Sequence, residues 1–170
     1  SYPFMRILAI ETSCDETAAC LLETGDNRFH ILSHVLASQI EIHKKYGGIV
    51  PEVAARKQME MIIPVMEECL NPLSPPYYKG ETEGVTMIPD VIAVTQGPGL
   101  VTSLRVGVQV AKTMAYVWQK PLVAVNHIEG HVLSALLPEP HSHSERSEES
   151  SEASSRIRPY GLDPSPTAQD

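Results

Sequence analysis

The chain has 170 residues, of which 42% are hydrophobic and 5% aromatic, and its formal net charge is −8. This length and composition allow one sizeable core and predict a single domain of strands and helices. The three cysteines form no CxxC pair, which argues against a disulfide framework and a thiolate metal site. No apolar run reaches the roughly 18 residues of a membrane span, and the first residues show no signal pattern. The sequence therefore favours a cytoplasmic protein over a membrane protein.

Three strands are predicted first. Apolar runs cover residues 5–10, 18–22 and 29–37, and polar or turn-forming residues separate them. Strands this close together favour an antiparallel meander. Residues 43–51 follow and are predicted to form a loop with paired glycines.

A long helix comes next. Apolar residues recur every three or four positions and predict its buried face: Ala55, Met59, Ile62, Met66 and Leu70. Pro64 lies inside this pattern and is expected to kink or split the helix. Residues 71–89, which are rich in proline, are predicted to form an exposed loop.

Strands and helices then alternate. Residues 90–95 predict a buried strand, Gly97-Pro98-Gly99 a turn, residues 122–125 another strand, and a short helix begins near His127. Between the two strands lies a helix whose predicted apolar face is Leu104, Val108, Ala111, Ala115 and Trp118. Strands joined by helices need parallel crossovers, so the predicted fold is α/β with a mixed sheet in β-β-β-α-β-α-β-α order. This is the order of a ribonuclease-H-like lobe of the actin-like ATPase superfamily.

The C-terminal segment differs in composition. Residues 138–170 hold seven acidic and three basic residues, which leaves a net charge of −4 on residues 1–137. Residues 141–155 include seven Ser and four Glu without apolar periodicity, so we expect a disordered tail, best explained as an out-of-frame or read-through end. The mildly acidic body gives no general support for coating a nucleic-acid duplex, although a local patch stays open.

The pair His127 and His131 points to a metal site. A spacing of four on a helix places both imidazoles on one face, where two nitrogens can reach one metal ion. The pair directly follows a buried strand, where α/β proteins place their sites, and Asn126 is a plausible helix cap. Residues 1–137 offer no obvious third ligand.

Two loops are further candidates. Gly97 and Gly99 let backbone approach a ligand at the start of a helix, where N–H groups attract anions, although for this motif alone a tight turn without a ligand is the better explanation. Arg105 opposes the helix dipole and should have a carboxylate or phosphate partner. Asp15 and Glu16, between the first two strands, face the cleft of a ribonuclease-H-like lobe, or else form a solvated hairpin.

Four segments in order resemble the tRNA N6-adenosine threonylcarbamoyltransferase family, which modifies the adenosine next to the tRNA anticodon. They are residues 10–17 (Ile-Glu-Thr-Ser-Cys-Asp-Glu-Thr), 46–52 (Tyr-Gly-Gly-Ile-Val-Pro-Glu), 96–100 (Gln-Gly-Pro-Gly-Leu) and 126–131 (Asn-His-Ile-Glu-Gly-His). The resemblance covers about residues 5–137.

The resemblance implies a two-lobed actin-like fold and one divalent metal ion, iron or zinc. His127 and His131 would hold it together with an aspartate of a second lobe that this chain lacks. It also implies transfer of the threonylcarbamoyl group from threonylcarbamoyl-adenylate to N6 of the adenosine, with Asp15 and Glu16 near the reacting end. The implied partners are tRNA, a scaffold paralogue and ATPase subunits.

The chain departs from the family in two places. The helix after the paired glycines usually reads Ala-Ser-Arg-x-x-His in the family, whereas residues 55–58 (Ala-Arg-Lys-Gln) lack the serine and the histidine. The Ser-Gly-Gly-His-Thr motif is absent, and the Ser/Glu-rich tail stands in its place. We therefore expect this chain to be inactive alone and to bind metal weakly.

Three other protein classes fit the sequence less well. A non-catalytic scaffold paralogue would lack the His-x-x-x-His pair. A sugar-kinase-like or chaperone ATPase would need a Gly/Thr-rich phosphate loop where this chain has Cys14-Asp15-Glu16. A metallopeptidase of the zincin type would need Glu directly after the first histidine, where Ile128 stands.

Overall fold

The computed structural model describes residues 4–25, 28–71 and 87–135. Its elements are β1 (Met5–Glu11), β2 (Glu16–Gly25), β3 (Arg28–Ser38), α1 (Ile40–Lys44), α2 (Pro51–Leu70), β4 (Val91–Gly97), α3 (Val101–Trp118), β5 (Leu122–Asn126) and α4 (His127–Ser134). The predicted tail at 138–170 and most of the predicted loop at 71–89 lie outside the described residues.

The five strands form one sheet in the order β3-β2-β1-β4-β5. β1, β2 and β3 pair antiparallel, whereas β1, β4 and β5 run parallel. This confirms the predicted mixed sheet of a ribonuclease-H-like lobe. Because β1, β4 and β5 point the same way, their carboxyl ends lie at one edge of the sheet.

The core lies between the sheet and helices α2 and α3. Alternate strand residues face these helices and are almost fully buried: Leu8, Ile10, Ala19, Leu21, Ile92 and Val94. The residues between them point to the other face of the sheet, where α4 lies. The strand alternation thus separates a packed face from a face that carries polar side chains.

Helix α2 differs from the prediction in two ways. It is not split at Pro64 but continues as one helix, because burying the apolar side chains around this position, at about 1.5–3 kcal/mol each, outweighs the roughly 3 kcal/mol cost of an interior proline. Its buried face agrees with the prediction at Ile62, Met66 and Leu70 but differs at other positions. Met59 is 61% exposed, while the buried residues include Ala54, Gln58, Met61 and Val65. The pattern of apolar residues missed this because Gln58, a polar residue, is fully buried.

The predicted face of α3 is partly right. Ala111 is fully buried, and Val108, Ala115 and Trp118 pack against the core at partial burial. Leu104 is not in this cluster. The most buried line on the helix is instead Ser103, Gly107 and Ala111, at a spacing of four. These small residues allow the helix to lie close to β1.

One smaller difference lies before α2. The segment predicted as a loop at 43–51 begins inside the short helix α1, which ends at Lys44. None of the helices in the described ranges is long and apolar enough to cross a membrane.

Candidate active site

Three of the sequence motifs meet at the carboxyl edge of the parallel strands. Glu11 ends β1, Gly97 ends β4 and Asn126 ends β5, and these three strands are neighbours in the sheet. Open α/β sheets bind ligands at this edge. The topology therefore gathers segments that are up to 115 residues apart in the chain.

Helix α4 is started by Asn126, as predicted. The Asn126 side-chain oxygen accepts hydrogen bonds from the N–H groups of Ile128 at 2.9 Å and Glu129 at 3.3 Å. This satisfies two donors that the first helical turn leaves unpaired. The cap fixes the helix start, so that His127 lies in the first turn and His131 in the next.

The two histidines face each other. Their Nε2 atoms are 3.0 Å apart, and the rings meet edge to face with centroids 4.4 Å apart. His127 is half-buried and His131 exposed, so the rings neither diverge nor lie in the apolar core. Two imidazole nitrogens bound to one zinc ion, each at about 2.0–2.1 Å in tetrahedral geometry, lie roughly 3.3 Å apart. The pair therefore fits two ligands of a single ion.

Glu11 belongs to this cluster, although the sequence did not single it out. Its Oε2 atom lies 3.3 Å from His127 Nδ1 and accepts a hydrogen bond from the Thr95 hydroxyl. Its Oε1 atom accepts one from the Ser13 N–H. The sequence signal was present: Glu11 is an acidic residue that ends β1 directly after the apolar run 7–10.

These contacts keep the Glu11 carboxyl ionised. Burial by itself raises the pKa of Glu11, but hydrogen bonds from Ser13, Thr95 and His127 outweigh it, and the pKa is lowered below its ordinary value. A carboxylate can only accept hydrogen bonds, so it is matched to the donors around it.

A cavity of about 480 Å³ opens beside the histidine pair. It lies on the sheet face opposite the core, and its floor is formed by strand residues that alternate with core residues, among them Ala9, Ala18 and Ala93. One part of the cavity is lined by Glu11, Thr95, His127 and His131. Another part is lined by Cys20 and His34, which are paired across β2 and β3. The cavity combines an apolar floor with a few convergent polar groups, as small-molecule sites do.

Gln58 of α2 holds the loop between β1 and β2, which carries Asp15, together with Glu16, the first residue of β2. The Gln58 Nε2 atom donates to the carbonyl oxygens of Thr12 at 3.4 Å, Cys14 at 3.1 Å and Glu16 at 3.0 Å. Gln58 is fully buried. Asp15 is half-buried and Glu16 exposed, so both carboxylates are accessible from solvent.

Cys14 in the same loop is not poised as a thiolate. Burial, together with the neighbouring Asp15 carboxylate, raises the pKa of the Cys14 thiol. A nucleophilic cysteine needs the opposite shift.

The Gly-Pro-Gly turn packs against this loop. The N–H of Leu100 donates to the Ser13 carbonyl at 2.7 Å, and a Cβ atom added at Gly99 would lie 2.5 Å from that oxygen. Gly97 has a φ of 144°, which glycine adopts without strain. Close packing thus requires glycine at position 99, and backbone conformation requires it at position 97.

Arg105 is not brought into the cluster. It is exposed in the second turn of α3, and within the described ranges it makes no ion pair. The carboxylate partner that was one of its two predicted alternatives is therefore not among these residues. The same ranges contain no group of three or more His, Cys, Asp and Glu side chains that could hold a metal ion.

The fold and the site define an α/β protein of the ribonuclease-H-like class with a histidine pair at the ligand-binding edge of its sheet. The chain belongs to the tRNA N6-adenosine threonylcarbamoyltransferase (TsaD) family, whose profile matches residues 30–144. A relative of that name from Anaeromyxobacter sp. (strain Fw109-5) is 50% identical over 135 residues, which is 79% of this chain and 37% of the relative. One from Clostridium perfringens (strain SM101) is 54% identical over 127 residues, 74% of this chain and 34% of the relative. The chain therefore spans about a third of the length of the curated relatives it matches.

Two solved structures have more distant likenesses. YeaZ from Pseudomonas aeruginosa is 20% identical with a TM-score of 0.46, covering 72% of this chain and 44% of that one. RuvC of T. thermophilus in complex with a Holliday junction substrate is 12% identical with a TM-score of 0.48, covering 77% and 72%. Family membership rests on the sequence matches alone.

Proposed function

We propose that this chain forms the N-terminal lobe of an enzyme that transfers a threonylcarbamoyl group from threonylcarbamoyl-adenylate to tRNA. In this reaction the N6 amine of the adenosine 3′ of the anticodon attacks the carbamoyl carbon. A new C–N bond forms, the bond from carbon to the AMP phosphate oxygen breaks, AMP leaves, and the amine loses a proton. The observation that carries the proposal is the His127–His131 pair at the sheet edge of a chain of this family.

His127 and His131 would hold one divalent ion, iron or zinc, through their Nε2 atoms. When bound, such an ion supplies Lewis-acid chemistry that orients and polarises the adenylate. The 3.0 Å separation of the two atoms supports this role. A further ligand would have to come from outside the described residues, since these contain no third His, Cys, Asp or Glu in a suitable group.

Asp15 and Glu16 would act near the reacting amine, where a carboxylate can accept or position its proton. Their solvent access and the fixing of their loop by Gln58 support this role. Gly97, Gly99 and Arg105 would bind the adenylate: the glycines by close backbone approach, and Arg105 as a cation for phosphate. The unpaired state of Arg105 within the described ranges supports this assignment.

The whole enzyme would work in the cytoplasm on tRNA, together with a scaffold paralogue and ATPase subunits. The isolated 170-residue chain would not catalyse the reaction. Two observations support its inactivity: the chain spans about a third of its relatives, and its described part offers only two imidazoles for the metal.

The rival functions have weaker support. A zincin peptidase would need a general-base Glu directly after the first histidine, but Ile128 stands there. The nearest acidic residue on α4, Glu129, is one position further on and is exposed. A non-catalytic scaffold would have no use for a capped helix that aligns two imidazoles.

A chimera tests the proposal. Residues 5–135 would replace the matching segment of the Anaeromyxobacter relative, and the assay would follow threonine-labelled threonylcarbamoyl-adenylate into tRNA with the partner subunits present. We expect the chimera to label tRNA, the double variant His127→Ala/His131→Ala to lose at least 100-fold in rate, and the isolated chain to give none. A fully active double variant would contradict the proposal.

A further inference from the structure

We infer that Glu11 is a positioning residue for His127: its carboxylate accepts the Nδ1 proton of that imidazole and so leaves the Nε2 lone pair free for a cation. This inference rests on the metal site of the proposed function, but it concerns a side chain that the histidine motif does not contain. Glu11 is 116 residues away in sequence and reaches His127 only because β1 and β5 end at the same edge.

The donor and acceptor roles follow from the contacts. The Glu11 carboxylate has no proton to donate, so the 3.3 Å contact between Oε2 and His127 Nδ1 requires a proton on Nδ1. A neutral imidazole carries one ring proton, and His127 Nε2 is then a lone pair. Across the 3.0 Å gap, His131 Nε2 is the donor when no cation is present. One ordered chain of hydrogen bonds therefore runs from His131 through His127 to Glu11.

Glu11 is held too firmly to serve as a metal ligand itself. Its Oε2 atom accepts from both the Thr95 hydroxyl and His127, and its Oε1 atom accepts from the Ser13 N–H. Turning either oxygen toward the space between the imidazoles would break at least one of these bonds. A carboxylate bound to the far nitrogen of a histidine fixes its tautomer and ring orientation and raises its basicity as a ligand. This is the role the geometry leaves for Glu11.

Glu129 provides a matched control. It is an exposed acidic residue two positions after His127 on α4, and Glu129→Gln removes the same charge from the same neighbourhood. Glu129→Gln leaves the hydrogen bond between His127 Nδ1 and Glu11 intact. A difference between Glu11→Gln and Glu129→Gln therefore reports the contact and not the general negative charge.

The first test uses the unaltered 170-residue chain. Long-range ¹H–¹⁵N correlation of the histidine rings, without metal and at a pH where the imidazoles are neutral, should show the proton of His127 on Nδ1. A proton on Nε2 of His127 would overturn the inference, and no variant has to fold for this result. In Glu11→Ala, which has no acceptor, the Nε2–H form of His127 should gain population.

The second test measures zinc affinity by competition with a coloured chelator. The double variant His127→Ala/His131→Ala gives the background from the remaining histidines, including His141 and His143 in the tail. Above this background we expect Glu11→Gln to weaken zinc binding about 10-fold, the lower end of the usual cost of losing such a contact. Thr95→Val should weaken it less, and Glu129→Gln should leave it within about twofold.

The outcomes separate the two claims. If the wild-type chain binds zinc more tightly than the double variant while Glu11→Gln and Glu129→Gln behave alike, the role of Glu11 is refuted and the metal site stands. If the wild-type chain binds no better than the double variant, both the metal site and the role of Glu11 are refuted.

Discussion

Gly107 of α3 lies directly against Thr12, the residue that follows β1. The N–H of Gly107 donates to the Thr12 hydroxyl at 3.1 Å, and that hydroxyl donates to the Ser103 carbonyl at 2.9 Å. A Cβ atom at Gly107 would lie 2.5 Å from the hydroxyl oxygen. The close approach of this helix to the sheet therefore depends on the absence of a side chain, and it fixes the start of the loop that carries Asp15.

We predict that Gly107→Ala destabilises the chain. Alanine favours a helix by about 1 kcal/mol over glycine, but overpacking costs about 1–3 kcal/mol and the displaced Thr12 hydroxyl a further ~1 kcal/mol or more. The free energy of unfolding, measured in urea, should fall by about 2 kcal/mol. The control is Gly130→Ala in α4, where an added Cβ meets nothing within 4 Å and should stabilise by about 0.5–1 kcal/mol. Equal effects at both glycines would contradict the packing argument.

The buried face of α3 shows what sequence periodicity can and cannot predict. The order of strands and helices along the chain, the parallel crossovers and the existence of each long helix followed from apolar spacing. The face pressed closest to the sheet did not, because it consists of Ser103, Gly107 and Ala111, residues selected for small size and not for hydrophobicity. The apolar pattern of a sequence shows which side chains favour burial away from water. The close contact between α3 and the sheet depends instead on side-chain volume, which this pattern does not show.

The candidate site was likewise predictable from the sequence only in part. The His127–His131 pair was predictable because helical spacing alone places both rings on one face. Glu11 and Gln58 were not, because their roles depend on contacts with residues 116 and more than 40 positions away. Each does leave a trace in the sequence: Glu11 directly follows the apolar run 7–10, and Gln58 directly precedes Met59 of the predicted apolar face.

Gln58→Met should loosen the β1–β2 loop. The substitution keeps the length of the side chain but removes the donor to three carbonyl oxygens. Lost hydrogen bonds of this kind cost about 1–3 kcal/mol, and removing the buried, unpartnered Oε1 offsets part of that cost. We expect a net loss of about 1–2 kcal/mol and faster amide hydrogen exchange over residues 12–17. Gln109→Met, on the exposed side of α3, is the control and should change stability by less than about 0.5 kcal/mol.

The lowered pKa of Glu11 predicts an acid dependence of stability. Because the folded state holds this carboxyl ionised to lower pH than the unfolded state does, its stabilising contribution is present above the ordinary pKa of 4.5. The contribution is lost as the pH falls through the lower folded value. The difference in unfolding free energy between wild type and Glu11→Gln should therefore shrink as the pH is lowered from 7 to 3. A difference that stays constant over this range would show that the Glu11 carboxyl has the same pKa in both states.

Asn126→Ala should disturb the histidine pair without touching either ring. Asn126 caps α4 by accepting hydrogen bonds from two N–H groups of its first turn, and loss of such a cap costs about 1 kcal/mol. Since α4 is only eight residues long, a cost of this size should fray its first turn and weaken zinc binding, measured above the background of the His127→Ala/His131→Ala variant. Asn126→Ser keeps a capping oxygen and should restore most of the affinity. If alanine and serine weaken zinc binding equally, the amide of Asn126 acts in some way other than as a cap, and the alignment of His127 with His131 does not depend on how the helix begins.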